Sequence, residues 1–232
     1  DILSLTPEVL AQHLAEMGEP KFRAKQLFSW LHQKQVTEFD QMTTLSLQLR
    51  QKLNEKFCIN RLNIARRLAS STDDTVKYLY ELPDGNVVET VLMDYHHGKS
   101  LCISTQVGCR MGCQFCASTI AGYVRDLMPS ELLLQIYETQ RDSGCRIDSI
   151  VLMGIGEPLD NFENVVQFFR ILSHPDGMQM SLRHVALSTC GLVPRIRQLA
   201  DLRLGVTLSV SLHSPENQHR SEIMPINRRY PV

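Results

Sequence analysis

The chain has 232 residues, 43% apolar and 21% charged, enough for one large domain or a domain with a smaller attachment. Twenty-four Lys/Arg against 25 Asp/Glu leave a formal net charge of −1, so composition alone neither requires nor excludes a nucleic-acid partner. No apolar run approaches the ~20 residues of a membrane helix, and seven cysteines, odd in number and clustered behind a start unlike a signal peptide, point to a reducing cytoplasm.

Residues 1–60 read as helical. Thr6-Pro7-Glu8 is a helix start, with a capping hydroxyl, a first-turn proline and an acid near the positive dipole end. Leu10, Leu14 and Met17 share a face, Ala24, Leu27, Phe28 and Leu31 follow the i, i+3, i+4, i+7 pattern, and Leu45, Leu49 and Leu53 recur every four residues. The lone Trp30 is expected in the core. Residues 1–70 carry ten Lys/Arg against seven Asp/Glu, with Lys21, Arg23, Lys25 and Lys34 on or beside the second helix. Two readings fit: a small three-helix bundle kept soluble by its charges, or an accessory module that grips a phosphate backbone.

Residues 70–98 change period. Val76, Tyr78, Tyr80 and Leu82 alternate, Pro83-Asp84-Gly85 is a turn, and Val87 to Met93 completes a β-hairpin. Glu89 is the only charge in its strand. Enclosed by apolar neighbours its carboxyl would have a raised pKa, suited to accepting a proton; on an edge strand it would point to water.

Beyond residue 100 strands and helices alternate. An apolar run over 101–104 leads into a cysteine-rich loop, and Pro129-Ser130-Glu131 opens a helix reaching about Arg141. Strands follow at 150–153, 185–188 and 206–212, separated by helices marked by Phe162, Val165, Val166 and Phe169 and by the stretch 193–200. This repetition predicts a parallel sheet covered by helices and curling toward a barrel. Ligands bind at the carboxyl ends of such strands. There stand the cysteine loop, Gly154-Ile-Gly-Glu-Pro158, Ser188-Thr-Cys-Gly191 and Ser211-Leu-His213. A glutamate beside glycines, as at Glu157, can accept hydrogen bonds from an ammonium group.

The loop itself reads Gly108-Cys-Arg-Met-Gly-Cys-Gln-Phe-Cys-Ala117, a C-x3-C-x2-C spacing of Cys109, Cys113 and Cys116. Three thiolates can hold three corners of a four-iron cluster and leave one iron open. A zinc site, with Cys102, Cys145 or a histidine as fourth ligand, is the alternative. Cys58 and Cys145 need no special role.

The spacing, with Phe115 before the last cysteine, resembles the radical S-adenosylmethionine (SAM) enzymes. Together with Leu101-Cys-Ile-Ser-Thr-Gln-Val-Gly-Cys109, Met153-Gly-Ile-Gly-Glu-Pro-Leu-Asp-Asn161, Leu187-Ser-Thr-Cys-Gly191, Ser209-Val-Ser-Leu-His-Ser214, Met224-Pro-Ile-Asn227 and the N-terminal Phe22-Arg-Ala-Lys-Gln26, it resembles the adenosine-C2 methyltransferases of ribosomal and transfer RNA over nearly the whole chain.

The resemblance implies an α/β fold: a partial (βα) barrel of the radical SAM type (99–232), an N-terminal helical accessory RNA-binding domain (1–69) and a connecting β-hairpin (70–98). It implies a [4Fe-4S] cluster on Cys109, Cys113 and Cys116, and SAM surrounded by Gly156, Glu157, Ser188, Ser211, Leu212 and His213. Glu89 matches the family's proton acceptor, and Cys102 a catalytic cysteine that helps release the protein–RNA crosslink. Two SAM molecules are used per turnover, one of them to methylate a further cysteine. The implied partners are 23S ribosomal RNA, transfer RNA and an electron donor such as flavodoxin or ferredoxin, acting on a cytoplasmic monomer with no membrane contact. Two rivals remain, a C8-specific ribosomal adenosine methyltransferase conferring antibiotic resistance and a zinc-containing RNA-binding module. Family members continue past the position of Val232, where the methyl-carrying cysteine lies. The chain is therefore expected to be a fragment, able to bind a cluster and weakly SAM but not to methylate RNA.

Overall fold

The computed structural model of the protein describes residues 1–96 and 98–232. Three helices come first: α1 (Pro7–Glu16), α2 (Phe22–His32) and α3 (Leu47–Lys56). Their buried residues are the ones the periodicity marks: Leu10 and Leu14, then Ala24, Leu27, Phe28 and Leu31, then Leu49 and Leu53. Ser46 caps α3 by accepting from the Leu49 amide. Thr6 stands at the N-cap of α1, yet its hydroxyl makes no cap; it bonds instead to Glu8, whose carboxyl it holds below the ordinary value. Trp30 is not a core residue. It packs at the rim, its Nε1 donating to Thr44 Oγ1 at 2.8 Å and its ring covered by the Lys34 ammonium.

Four antiparallel strands follow, β1 (Asn63–Ala69), β2 (Val76–Glu81), β3 (Val87–Tyr95) and β4 (Gly98–Cys102). The hairpin is therefore part of the main sheet. β1, unmarked in the sequence, lies along its outer edge with every residue exposed, so no apolar alternation announces it. Beyond β4 the chain adds β5 (Gln106–Gly108) and β6 (Tyr123–Asp126) as a separate ribbon, then α4 (Pro129–Ser143), β7 (Ser149–Leu152), α5 (Phe162–Ser173), β8 (Val185–Thr189), α6 (Val193–Asp201), β9 (Thr207–Val210) and α7 (Asn217–Ile223). The seven-stranded sheet runs β1-β2-β3-β4-β7-β8-β9, with β4, β7, β8 and β9 parallel. Among the described residues no helix is long and apolar enough to cross a membrane.

Strand alternation divides the sheet into two unlike faces. One carries Tyr78, Tyr80, Val88, Leu92, Leu101, Ile150, Leu152, Val185 and Leu187, all buried. This face and the N-terminal helices share one contiguous apolar core. Several polar groups inside it are matched: Tyr80 and Thr139 share a hydrogen bond at 2.8 Å, Tyr78 donates to Asp142 at 2.7 Å, and Gln135 of α4 bonds Thr90 and both backbone groups of Ser104. Each such bond contributes about 1 kcal/mol net, and leaving one partner unpaired costs more. The opposite face, with Lys77, Glu89, Cys102 and Ser188, is only half covered.

His32 joins the helical segment to the core. It is fully buried, its Nδ1 lies 2.9 Å from the Tyr137 hydroxyl, and its ring packs on Phe28. Burial lowers its pKa from 6.5 to about 3, with the nearby His174 adding to the shift. The folded state therefore prefers the neutral ring, and the unfolded chain binds the extra proton. The stability this contributes is complete above pH 6.5 and falls away as the pH drops toward 3, a loss of about 2 kcal/mol by pH 5. Urea unfolding at pH 7.5 and pH 5 reads this loss, and His32→Gln, which keeps a polar side chain but does not titrate, flattens it.

Candidate active site

The cysteine loop hangs between β5 and β6. Gly108, at φ +72°, starts it, and a Cβ there would lie 1.7 Å from the carbonyl oxygen of Gly122, which accepts from the Cys109 amide at 3.1 Å. Only glycine permits that closure. Gln114 donates its amide to Ile223 of α7, and Gly112 packs toward Pro225, so the segment after β9 supports the loop from behind. Met224 is fully buried there in a small second core with Cys113 and Cys190.

All three thiols face one cavity of about 190 Å³ at the carboxyl ends of the parallel strands. Its other walls include Phe115, Met153, Gly154, Gly156, Glu157 and Ser188, with Ser211 and His213 completing the rim. Cys109 and Cys113 are 8% and 7% exposed. Burial raises both thiol pKa values, Cys113 to about 11, with the neighbouring Cys109, Cys116 and Glu157 adding to that shift. Among the described residues no three ligating side chains converge on a position for a single metal ion. Cys102 and Cys145, the suggested fourth zinc ligands, do not line the cavity, whereas Cys190 does.

Glu157 is nearly enclosed. Its Oε2 accepts from the Cys190 amide at 2.8 Å and its Oε1 from the Leu159 amide at 3.1 Å. Burial raises its pKa against the pull of these bonds. The side chains of Thr189 and Cys190 also bond to this carboxylate, so it is held from several directions at once. Gly154 and Gly156 lie flush on the strand end before them: a Cβ on Gly154 would meet the Ile103 carbonyl at 2.7 Å, and one on Gly156 the Gln106 amide nitrogen at 2.8 Å. His213 is a non-glycine residue at φ +56°, an uncommon conformation, and its ring packs on Phe115 with centroids 4.3 Å apart. Leu212 lies beside the cavity with its side chain 46% exposed and its carbonyl held by Arg220 at 3.0 Å.

Glu89 and Cys102 do not line the cavity; they stand farther back on the half-open sheet face. The apolar enclosure expected for Glu89 is absent. Its side chain is 43% exposed and pairs with Lys77, because the alternation that buries Val88 and Thr90 turns Glu89 outward. Cys102 has its pKa raised by burial and by the Glu89 charge, against a hydrogen bond from the Met153 amide.

Several contributors escaped the sequence reading. Buried Gln106 accepts from the Glu157 amide at 2.8 Å and donates to Asp126 and Asp160; Asp160 also takes Arg110 of the cysteine loop at 2.6 Å. Arg220, 4% exposed, donates to the carbonyls of Cys190, Ser211 and Leu212 and to Asn227. The signal for Gln106 was a polar amide next to an apolar run. Arg220 gave none, since a surface helix carries arginines as a matter of course.

Comparison with known proteins is consistent with this arrangement. Residues 1–59 match the model of the ribosomal RNA large subunit methyltransferase N-terminal domain, and residues 103–231 match that of the radical SAM superfamily. A probable dual-specificity RNA methyltransferase RlmN of Lachnoclostridium phytofermentans is 51% identical over 230 residues, 99% of this chain and 65% of its own length. Its counterpart in Clostridium novyi is 45% identical over 99% of this chain and 67% of its own. A radical SAM methyltransferase from Sphaerobacter thermophilus superposes with a TM-score of 0.92 at 38% identity, over 100% of this chain and 69% of that one. The chain thus spans about two thirds of the length of its curated relatives.

Gly108→Ala must disrupt the loop closure and is expected to cost at least about 3 kcal/mol. Gly85→Ala, at φ +82° with nothing within 4 Å of the new Cβ, should cost only about 1 kcal/mol. Denaturant unfolding of the two variants side by side measures the difference.

Proposed function

The chain belongs to the radical SAM superfamily and, within it, to the family of RlmN RNA methyltransferases; from that membership and the site's geometry we propose that the complete protein methylates C2 of adenosine in 23S ribosomal RNA and in transfer RNA. The observation that carries the reading is the gathering of three loop thiols, two of them buried, in one cavity at the strand ends that Glu157 and the two serines also line. Cys109, Cys113 and Cys116 would hold a [4Fe-4S] cluster. The donor set fits: three thiols from one short loop suit a four-iron cluster with one open iron, while the fourth thiol at the cavity, Cys190, is buried with its pKa raised by burial and by Glu157, which favours the neutral, non-ligating form. The charge fits as well, since the thiolates gather beside the Glu157 carboxylate and a cationic group would offset their repulsion. When bound, the cluster supplies a single electron to SAM and so opens a radical route to a ring carbon too weakly acidic for ordinary methyl transfer.

The remaining residues bind, orient and move protons. Gly156 and Glu157 would take the amino end of SAM, the glycine by exposing backbone and the carboxylate by its negative charge at the cavity wall. Ser188 and Ser211, whose hydroxyls are 3.3 Å apart, and the His213 ring offer polar contacts to its carboxylate and ribose, and exposed Leu212 an apolar one to its base. The target adenine would leave its stack and enter from the half-open sheet face, at a cost of a few kcal/mol that RNA contacts must offset. Lys21, Arg23 and Lys25 of the N-terminal segment would supply them beside the exposed ring of Phe22, with Lys25 exchanging its Asp176 partner for phosphate. Glu89 would accept the proton of the ring carbon, becoming a neutral acid while the electron pair stays with the ring. Cys102, beside it, would release the RNA. An external donor such as flavodoxin or ferredoxin would supply the electron to a cytoplasmic monomer.

Anaerobic reconstitution of the full-length protein with iron and sulfide should give brown protein with cluster absorbance. Alanine at Cys109, Cys113 or Cys116 should abolish it, and digests of reacted RNA should contain 2-methyladenosine. Colourless protein holding zinc would sink the reading, and an 8-methyladenosine product would replace it with the C8-specific one.

A further inference from the structure

The open face of the sheet carries an ion pair whose place in the ladder gives it a use. Lys77 on β2 and Glu89 on β3 stand diagonally across an antiparallel register that sets Lys77 opposite Val91 and Leu79 opposite Glu89; Nζ and Oε1 are 2.8 Å apart. One strand farther, β4 sets Cys102 opposite Val91, so lysine, carboxylate and thiol form a row over three strands. The carboxylate's charge acts on that thiol. The other charged residues of this face are Glu81, farther along β2, and Arg66 of β1, in register with Leu79. The main chain under Glu89 is fixed independently. Its carbonyl accepts from buried Ser104 Oγ at 2.6 Å, and that oxygen accepts from the Ile155 amide, between the two glycines of the cofactor loop, at 3.1 Å.

A glutamate side chain has three free torsions, and on a half-exposed face water would let it sample them all. An ion pair across the ladder selects the few that lie along the face. Exposed pairs contribute little to stability, so the effect of this one is orientation. It grows when a bound base expels water, because charges then interact through a lower dielectric.

We propose that Lys77 is a positioning residue: its ammonium holds the Glu89 carboxylate beside Cys102 in the orientation that meets the incoming adenine. This rests on the reading of Glu89 as the proton acceptor. Lys77 itself touches no reacting atom.

The row can be tested in the 232-residue chain without any cofactor. Lys77→Met leaves the Glu89 charge uncompensated beside Cys102 and should slow alkylation of that thiol by iodoacetamide, followed by peptide mass spectrometry. Lys77→Arg should keep the native rate, and adding Glu89→Gln to Lys77→Met should restore it. An alkylation rate unmoved by Lys77→Met overturns the proposal. In the full-length protein loaded with cluster and SAM, Lys77→Met should lower RNA methylation about tenfold in kcat with KM for RNA little changed. It should also raise the isotope effect from C2-deuterated adenosine, while SAM cleavage without RNA stays native and Lys77→Arg recovers turnover. Native turnover in Lys77→Met, or a loss confined to KM, overturns the positioning role. Native turnover in Glu89→Gln overturns the proton-acceptor reading instead, so the two failures are told apart.

Discussion

A sheet whose covering helices pack on one side leaves its other side open, and every residue of chemical interest here depends on that asymmetry. Helices α4 and α5 and the N-terminal segment share one apolar core with the strand residues of even and odd parity that face them. The residues between, Lys77, Glu89, Cys102 and Ser188, are turned outward by the same pleat that turns Val88, Leu101 and Leu187 inward. A shift of one residue in any strand's register would exchange the two sets. Burial of the aliphatic set, at roughly 25 cal/mol per Å² of apolar surface, therefore fixes the polar set without any interaction among its own members.

Where the strands end, the constraint changes from hydrophobic burial to hydrogen bonding. The loops that enclose the cavity have few apolar side chains to anchor them, and buried polar side chains hold them by their backbone groups. Gln106 takes the Glu157 amide, Glu157 takes the amides of Leu159 and Cys190, and Arg220 takes the carbonyls of Cys190, Ser211 and Leu212. The Cys190 peptide is thus gripped from both sides, its amide by an acid and its carbonyl by a guanidinium. Such bonds are worth about 1 kcal/mol each when made and cost more when one partner is removed, which favours a stiff rim over a stable one. The strained His213 backbone persists because the Leu212 carbonyl before it, held by Arg220, also accepts from the Ser214 amide after it.

Much of this was legible beforehand. Helix faces at Leu10, Leu14, Leu27, Phe28 and Leu31 follow from periods of three and four, and the strands over 76–81 and 87–95 from a period of two and a proline–glycine turn. The cysteine loop was legible because three thiols in eight residues have few bland explanations. β1 was not legible, because an edge strand exposed on both faces has no alternation to show. Trp30 misled because size favours burial on average, while its indole nitrogen here reaches Thr44 at the rim. The surroundings of Glu89 stayed open between an apolar wall and water, because neighbours in sequence on a strand are not neighbours in space; adjacent side chains leave opposite faces, and Glu89 is on the open one.

The sequence by itself determined the N-terminal helices, the hairpin, the alternation of strands and helices beyond residue 100 and the identity of the thiol triad, because these depend on local periodicity, turn chemistry and ligand spacing within a few residues. Only the tertiary structure decided that Glu89 meets Lys77 and not an apolar wall, that Gln106 and Arg220 hold the cavity's rim, and that Cys190 rather than Cys102 or Cys145 joins the three thiols at the cavity. Those are contacts between residues 10 to more than 50 positions apart. They exist only after the sheet has registered, and no single stretch of chain records them.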